Sequence, residues 1–161
     1  MDPLRVMFDT SVYSHLAITH RALRQKIFDS DNLKIYGCDV VRKELRQTPP
    51  GKKVWTRKLR ILMLNDYDVL IGRHGAMAGD LASYLATEYS KEYGGKAPEG
   101  KMRNDFLIVA AASLKGIEHI CTEDFSTMAS GDAIKSYAAV NERNGVKTPK
   151  FVSLAGLDAM L

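Results

Sequence analysis

The chain lacks any apolar run long enough to cross a membrane. Its opening residues, Met1-Asp2-Pro3-Leu4-Arg5, lack the basic stretch followed by an apolar segment that a secretory signal needs. A soluble, cytoplasmic protein with no membrane partner is therefore expected. Cysteine is scarce. Cys38 and Cys121 lie far apart in apolar surroundings and form no Cys-x-x-Cys pair, so they read as reduced core thiols. His15, His20, His74 and His119 show no metal-ligand spacing. No Ser/His or Cys/His pairing suggests a covalent intermediate. There is also no internal repeat, no low-complexity tract and no linker long enough to separate two domains.

What is present is an ordinary globular composition. The 161 residues are 45% hydrophobic and 26% charged. That length suits one domain, residues 1–161. A net charge of +4 permits a nucleic-acid partner without demanding one.

Strand and helix patterns alternate along the chain. This predicts an α/β fold: a single three-layer domain with a mostly parallel sheet and helices on both faces. Strands are expected at Leu4–Phe8, Leu33–Tyr36, Asp68–Ile71, Glu118–Thr122 and Lys150–Val152. Helices are expected at Val12–Ser30, Asp39–Arg46, Val54–Leu64, Leu81–Tyr93, Asn104–Lys115 and Ala133–Arg143. Asp39 is expected to cap its helix. Pro49-Pro50-Gly51 stops that helix, because proline donates no backbone hydrogen bond. Leu81, Tyr84, Leu85 and Tyr89 share one helical face and read as core or a dimer face.

Four acids stand at informative places. Asp9 follows the strand Val6-Met7-Phe8, and Asp124 follows Ile120-Cys121-Thr122. In open α/β sheets, ligands bind outside the carboxyl ends of the strands. Asp105 opens an apolar helix, where partial positive charge on free amides favours an anion. Glu44 lies beside the inward face of its helix, three and four residues after Val41 and Val40. Carboxylates beside apolar faces are costly and repel one another. Mg²⁺ or Mn²⁺ would balance them, since hard cations take oxygen ligands. Such an ion can also activate water against a phosphodiester. Singly, each acid has a plain reading: Asp9 as a helix cap, Asp124 as the start of a turn, Asp105 as a helix-dipole partner, Glu44 as a surface residue.

Four stretches carry a resemblance. They are Phe8-Asp9-Thr10-Ser11, Asp39-Val40-Val41-Arg42-Lys43-Glu44-Leu45, Asp105-Phe106-Leu107-Ile108-Val109-Ala110-Ala111-Ala112 and Ile120-Cys121-Thr122-Glu123-Asp124. In this order they resemble the motifs of PIN domains, the nuclease fold of VapC-type toxins. The resemblance implies a metal-dependent endoribonuclease with Asp9, Glu44, Asp105 and Asp124 as metal ligands and catalytic acids. Thr10, Ser11 and Thr122 would be supporting oxygens. Phe125 follows Asp124 directly, which leaves Glu123 a rival for the fourth ligand. An antitoxin partner and a homodimer also follow from the family.

Eight basic residues fall between Arg42 and Arg60. Arg42, Arg46, Lys52 and Lys53, with Lys101 and Arg103 farther on, are candidates for holding an RNA backbone through counterion release. Trp55 offers a stacking face or a core side chain. Gly95 to Lys101 matches Gly-x₄-Gly-Lys, but Met102 replaces the magnesium-binding hydroxyl, and no strand precedes the loop. The competing reading is a PIN-like RNA-binding or scaffold module with little catalysis. A phosphatase with a strand-terminal Asp nucleophile ranks last, because Ser11 stands where its second acid belongs.

Overall fold

In the computed structural model, residues 2–49, 58–72, 75–76, 78–94 and 99–161 are described. Five strands form one parallel sheet: β1 (Leu4–Phe8), β2 (Leu33–Cys38), β3 (Gly75–Ala76), β4 (His119–Cys121) and β5 (Lys150–Val152). Their order is β3-β2-β1-β4-β5. β1 is central because it is the most apolar: Val6, Met7 and Phe8 are fully buried. It pairs with β2 through Val6–Ile35 and Met7–Tyr36, and with β4 through Met7–Ile120 and Phe8–Cys121.

The helices form two groups. α1 (Thr10–Ile18), α2 (Arg21–Asp29), α3 (Asp39–Arg46) and α4 (Leu59–Ile71) pack together. α5 (Asp80–Glu92), α6 (Arg103–Leu114) and α7 (Gly131–Arg143) form the second group, with α8 (Leu154–Met160) against β5. From β1 the chain first winds toward β2 and β3, then crosses to β4 and β5. Right-handed crossovers in opposite directions place the two groups on opposite faces. α6 is apolar nearly all round, with Phe106 and Ile108–Ser113 buried, as an interior helix must be. α3 and α6 also touch, joining the two helical groups near one end of the sheet.

Several expectations change. The helix forecast over Val12–Ser30 is two helices, α1 and α2, separated at Thr19-His20. Asp68–Ile71 is not a strand but the last turn of α4, which buries Met63, Tyr67 and Ile71 at helical spacing. The short run was too ambiguous for its period to decide. The short β3 occupies that edge of the sheet instead, and 54–57 of the Val54–Leu64 forecast lie outside the described residues. Asp39 is the first residue of α3, not its cap; its Oδ1 accepts from the amides of Val40 and Ala78. On α5, Leu85 and Tyr89 are buried, whereas Leu81 and Tyr84 are exposed. α8 had no counterpart in the sequence reading.

Gly37 carries one steric requirement. A Cβ there would sit 2.4 Å from the Tyr67 hydroxyl, which donates to the Cys38 carbonyl at 3.1 Å. Only glycine lets α4 lie this close to β2.

Candidate active site

The chain reverses its winding direction between β1 and β4, and these strands are neighbours. The loops leaving their carboxyl ends part there, which is where open α/β sheets hold ligands. The two ends are tied directly, because the Asp9 amide donates to the Cys121 carbonyl at 3.0 Å. Asp9 and Asp124 therefore emerge side by side. α3 brings Glu44 and α6 brings Asp105 to the same edge, where Asp9, Asp124 and Glu44 all act electrostatically on Asp105.

Asp9 is the best hidden of the four, at 6% exposure. It caps α1 by accepting from the Thr10 amide at 2.7 Å, so the plain capping reading holds as well. Its Oδ2 accepts from Ser11 Oγ at 3.1 Å and Thr122 Oγ1 at 2.9 Å. Burial still raises its pKa above the ordinary value, and the charge of Asp124 adds to this. Glu44 Oε1 accepts from Thr10 Oγ1 at 2.8 Å. Its pKa is also raised, first by burial and then by the charge of Asp9. Asp105 is pushed up to about 7, by burial and then by the charges of Asp9, Asp124 and Glu44.

Asp124 behaves differently. Burial alone would raise its pKa, but hydrogen bonds from Thr127 and Ser126 hold it below the ordinary value. Its Oδ1 accepts from the Thr127 amide at 2.9 Å and Ser126 Oγ at 3.0 Å, and its Oδ2 accepts from Thr127 Oγ1. The turn reading of Asp124 is thus correct alongside the electrostatic one. Glu123 points elsewhere: its Oε1 accepts from the Leu154 amide at 2.7 Å, at the start of α8.

Three participants escaped the sequence reading. Thr127 and Ser126 fix Asp124, and Thr127 also hydrogen-bonds Asp105. Asn104 hydrogen-bonds Glu44. The run Asp124-Phe125-Ser126-Thr127 has the hydroxyl spacing of a side-chain-capped turn, so the first two were legible in principle. Asn104 was not, because nothing local links it to residue 44.

Among the described residues, no set of three or more His, Cys, Asp or Glu side chains is arranged to hold a metal ion as it stands. The carboxylates are turned toward hydroxyl partners instead. Their chemistry still fits a hard divalent cation: the donors are oxygens only, and burial, reinforced by the neighbouring anions, pushes Asp105 up to about 7.

The basic candidates fare unevenly. Arg42 is committed to Asp68, with Nε and Nη2 donating at 3.0 and 3.1 Å. Arg103 is tied to α5 through Thr87 Oγ1 at 3.0 Å and Ser83 Oγ at 2.7 Å. Arg46 is exposed on the last turn of α3. Lys52, Lys53, Trp55 and the Lys101 side chain lie outside the described residues. Cys38 and Cys121 are free and buried, and burial pushes the Cys38 thiol up to about 12, so both are inert core thiols.

Solved structures share this fold. The chain resembles VapBC-1 from nontypeable Haemophilus influenzae with a TM-score of 0.58, 11% identity, and 94% of this chain against 99% of that one. VapBC2 from Rickettsia felis, bound to a DNA fragment from its promoter, gives 0.56 and 14%, with 93% and 98% covered. VapBC-5 from Mycobacterium tuberculosis, a member of a toxin–antitoxin family, gives 0.54 and 19%, with 81% and 95% covered. No protein-family model and no curated protein matches the sequence. The chain therefore has an α/β fold shared with VapBC structures, as the PIN resemblance implied.

Proposed function

We propose that this chain is a metal-dependent endoribonuclease of the VapC type, held in check by an antitoxin protein. The observation that carries the reading is the gathering of Asp9, Glu44, Asp105 and Asp124 at the switch point, with no cation among the described residues to balance them. Natural chains neutralise such clusters or use them.

Asp9, Glu44, Asp105 and Asp124 would hold Mg²⁺ or Mn²⁺. Bound there, the ion would lower the pKa of water and stabilise charge on a phosphodiester. The chain's own part is positioning. Ser11 and Thr122 fix one oxygen of Asp9, Thr10 fixes Glu44, and Ser126 and Thr127 fix Asp124. Asp105 must give up its proton to act as a ligand, which a cation favours and its present neighbours oppose. Arg46, exposed on the same helix as Glu44 and without an ion pair to a described residue, would meet RNA phosphates. Likeness to VapBC complexes supports the antitoxin partner, whereas homodimerisation rests only on the resemblance of the sequence motifs to PIN domains.

The test is cleavage of single-stranded RNA in Mn²⁺, with chelator and with Asp9→Asn. Activity is expected to disappear in both; undiminished cleavage by the variant discards the proposal. A second reading, an RNA-binding or scaffold module, is favoured by one observation: the oxygens of Asp9, Glu44 and Asp124 already have hydroxyl partners. Mn²⁺ titration separates the two, since a scaffold gains little thermal stability from the ion.

A further inference from the structure

Beside the acidic edge lies a cavity of about 270 Å³ lined by Asp39, Val40, Lys43, Glu44, Gln47, Ala78, Asn104 and Leu107. That is slightly below the size at which pockets for drug-sized ligands begin, about 300 Å³. It suits one ring system. Val40, Ala78 and Leu107 give it apolar wall, and Gln47 and Asn104 give it amides.

Asp39 sets its chemistry. Three donors converge on its Oδ1: the amides of Val40 and Ala78, both at 2.9 Å, and the Cys38 thiol at 3.4 Å. Among the described residues, Oδ2 has no such partner, so the carboxylate is fixed with one oxygen free to accept. One turn along α3, Lys43 is exposed and makes no ion pair with a described residue. Two carboxylates against one ammonium leave the cavity net anionic, which disfavours a phosphate and favours a neutral group rich in donors.

We propose that this cavity is a guanine-reading subsite beside the scissile phosphate. Among the four RNA bases, guanine alone presents two adjacent N–H donors next to a carbonyl acceptor. Asp39 Oδ2 accepts from its N1–H and exocyclic amine, and Lys43 donates to its O6. Unstacked RNA bases are commonly read on this edge. Glu44 lines the cavity and also belongs to the acidic cluster, so a base held here lies next to the bond to be cut. The assignment rests on the nuclease reading for its role in cleavage, but base binding can be measured without it.

The experiment has two arms. In the first, guanosine, adenosine, cytidine and uridine are titrated into the wild-type protein and followed by NMR. Guanosine is expected to bind at least about tenfold tighter, the discrimination a good bidentate contact gives. Asp39→Asn keeps the Oδ1 acceptor for Val40 and Ala78 but places an amine where Oδ2 was, so the preference should fall below about threefold. Lys43→Met, a change at an exposed side chain, should also weaken guanosine selectively and serves alone if the first variant does not fold. In the second arm, RNAs with one guanine in an otherwise uniform strand are incubated with Mn²⁺, and cuts are expected beside the guanine. Equal binding of all four nucleosides, or a guanine preference that survives Asp39→Asn or Lys43→Met, overturns the subsite. Guanosine binding without any RNA cleavage leaves the subsite standing and removes the nuclease; cleavage indifferent to base does the reverse.

Discussion

Among the described residues, two carboxylates are almost completely hidden, and they are treated in opposite ways. Asp66 on α4 is 2% exposed and takes a bidentate pair from Arg24 of α2, at 2.8 and 2.6 Å. The guanidinium also lies over the Phe28 ring. Asp9 is 6% exposed and, among the described residues, receives only an amide and two hydroxyls, while three further acids stand around it. The first is a finished ion pair that joins two helices. The second is a charge imbalance the fold maintains at the edge of its sheet. Buried charge is ordinarily paired, so an unpaired group of four marks a place where something from outside the chain is expected.

The comparison can be broken most directly at Asp9. Asp9→Asn should reduce RNA cleavage about a thousandfold, equivalent to about 4 kcal/mol of transition-state stabilisation. The same change should leave urea stability without metal nearly unaltered or slightly raised, because it removes a charge from a repelling group. A loss of cleavage accompanied by a collapse in stability would mean that Asp9, like Asp66, is structural.

At the other carboxylate the expectation inverts. Arg24→Met strands Asp66 in the core and should cost about 3 kcal/mol in urea unfolding, with cleavage by the folded fraction intact. A cost under about 1 kcal/mol would show that the pair is not the fastening described here.

Asp105 offers a subtler test. Its folded pKa of about 7 exceeds its ordinary 3.8, so the folded state holds a proton that the unfolded chain releases between those values. Its contribution is present at low pH and is lost as pH rises through about 7. Without metal, stability should fall by about 1–2 kcal/mol between pH 5 and 8 after allowance for solvent screening. Burial of Asp9 and Glu44 pushes in the same direction, whereas Asp124 opposes it at lower pH. Asp105→Asn should flatten the profile, and Mn²⁺ should stabilise most at the alkaline end. A flat wild-type profile would dissolve the imbalance.

The smallest effect is expected at Thr127. Thr127→Val removes a hydroxyl from Asp124 and should cost about 1 kcal/mol of stability. It should also weaken Mn²⁺ binding about tenfold by calorimetry, as loss of a carboxylate's hydrogen-bonding partner does elsewhere.

Much of this was legible in the sequence where a signal is local. Val6-Met7-Phe8 read as a buried strand, and α6 read as a helix from its apolar run. Asp9 and Asp124 could be placed at strand ends because each directly follows an apolar stretch. The failures occurred where local signals compete. Asp68–Ile71 has strand-like composition but continues a helix whose burial repeats at Met63, Tyr67 and Ile71. Leu81 and Tyr84 fit an apolar helical face, yet the neighbours that bury Leu85 and Tyr89 do not reach them. The choice between Glu123 and Asp124 was equally undecidable locally, since one turns to the start of α8 and the other to the hydroxyls of Ser126 and Thr127.

The sequence by itself determined the alternation of elements, the central strand and which acids stand at element ends, because periodicity and capping act over a few residues. Tertiary structure alone decided that residues 9, 44, 105 and 124 share one edge. It also put Arg24 against Asp66 but, among the described residues, no cation against Asp9. The reason is topological: proximity across a hundred residues is set by strand order and by the reversal of winding between β1 and β4, and no short stretch of chain encodes either.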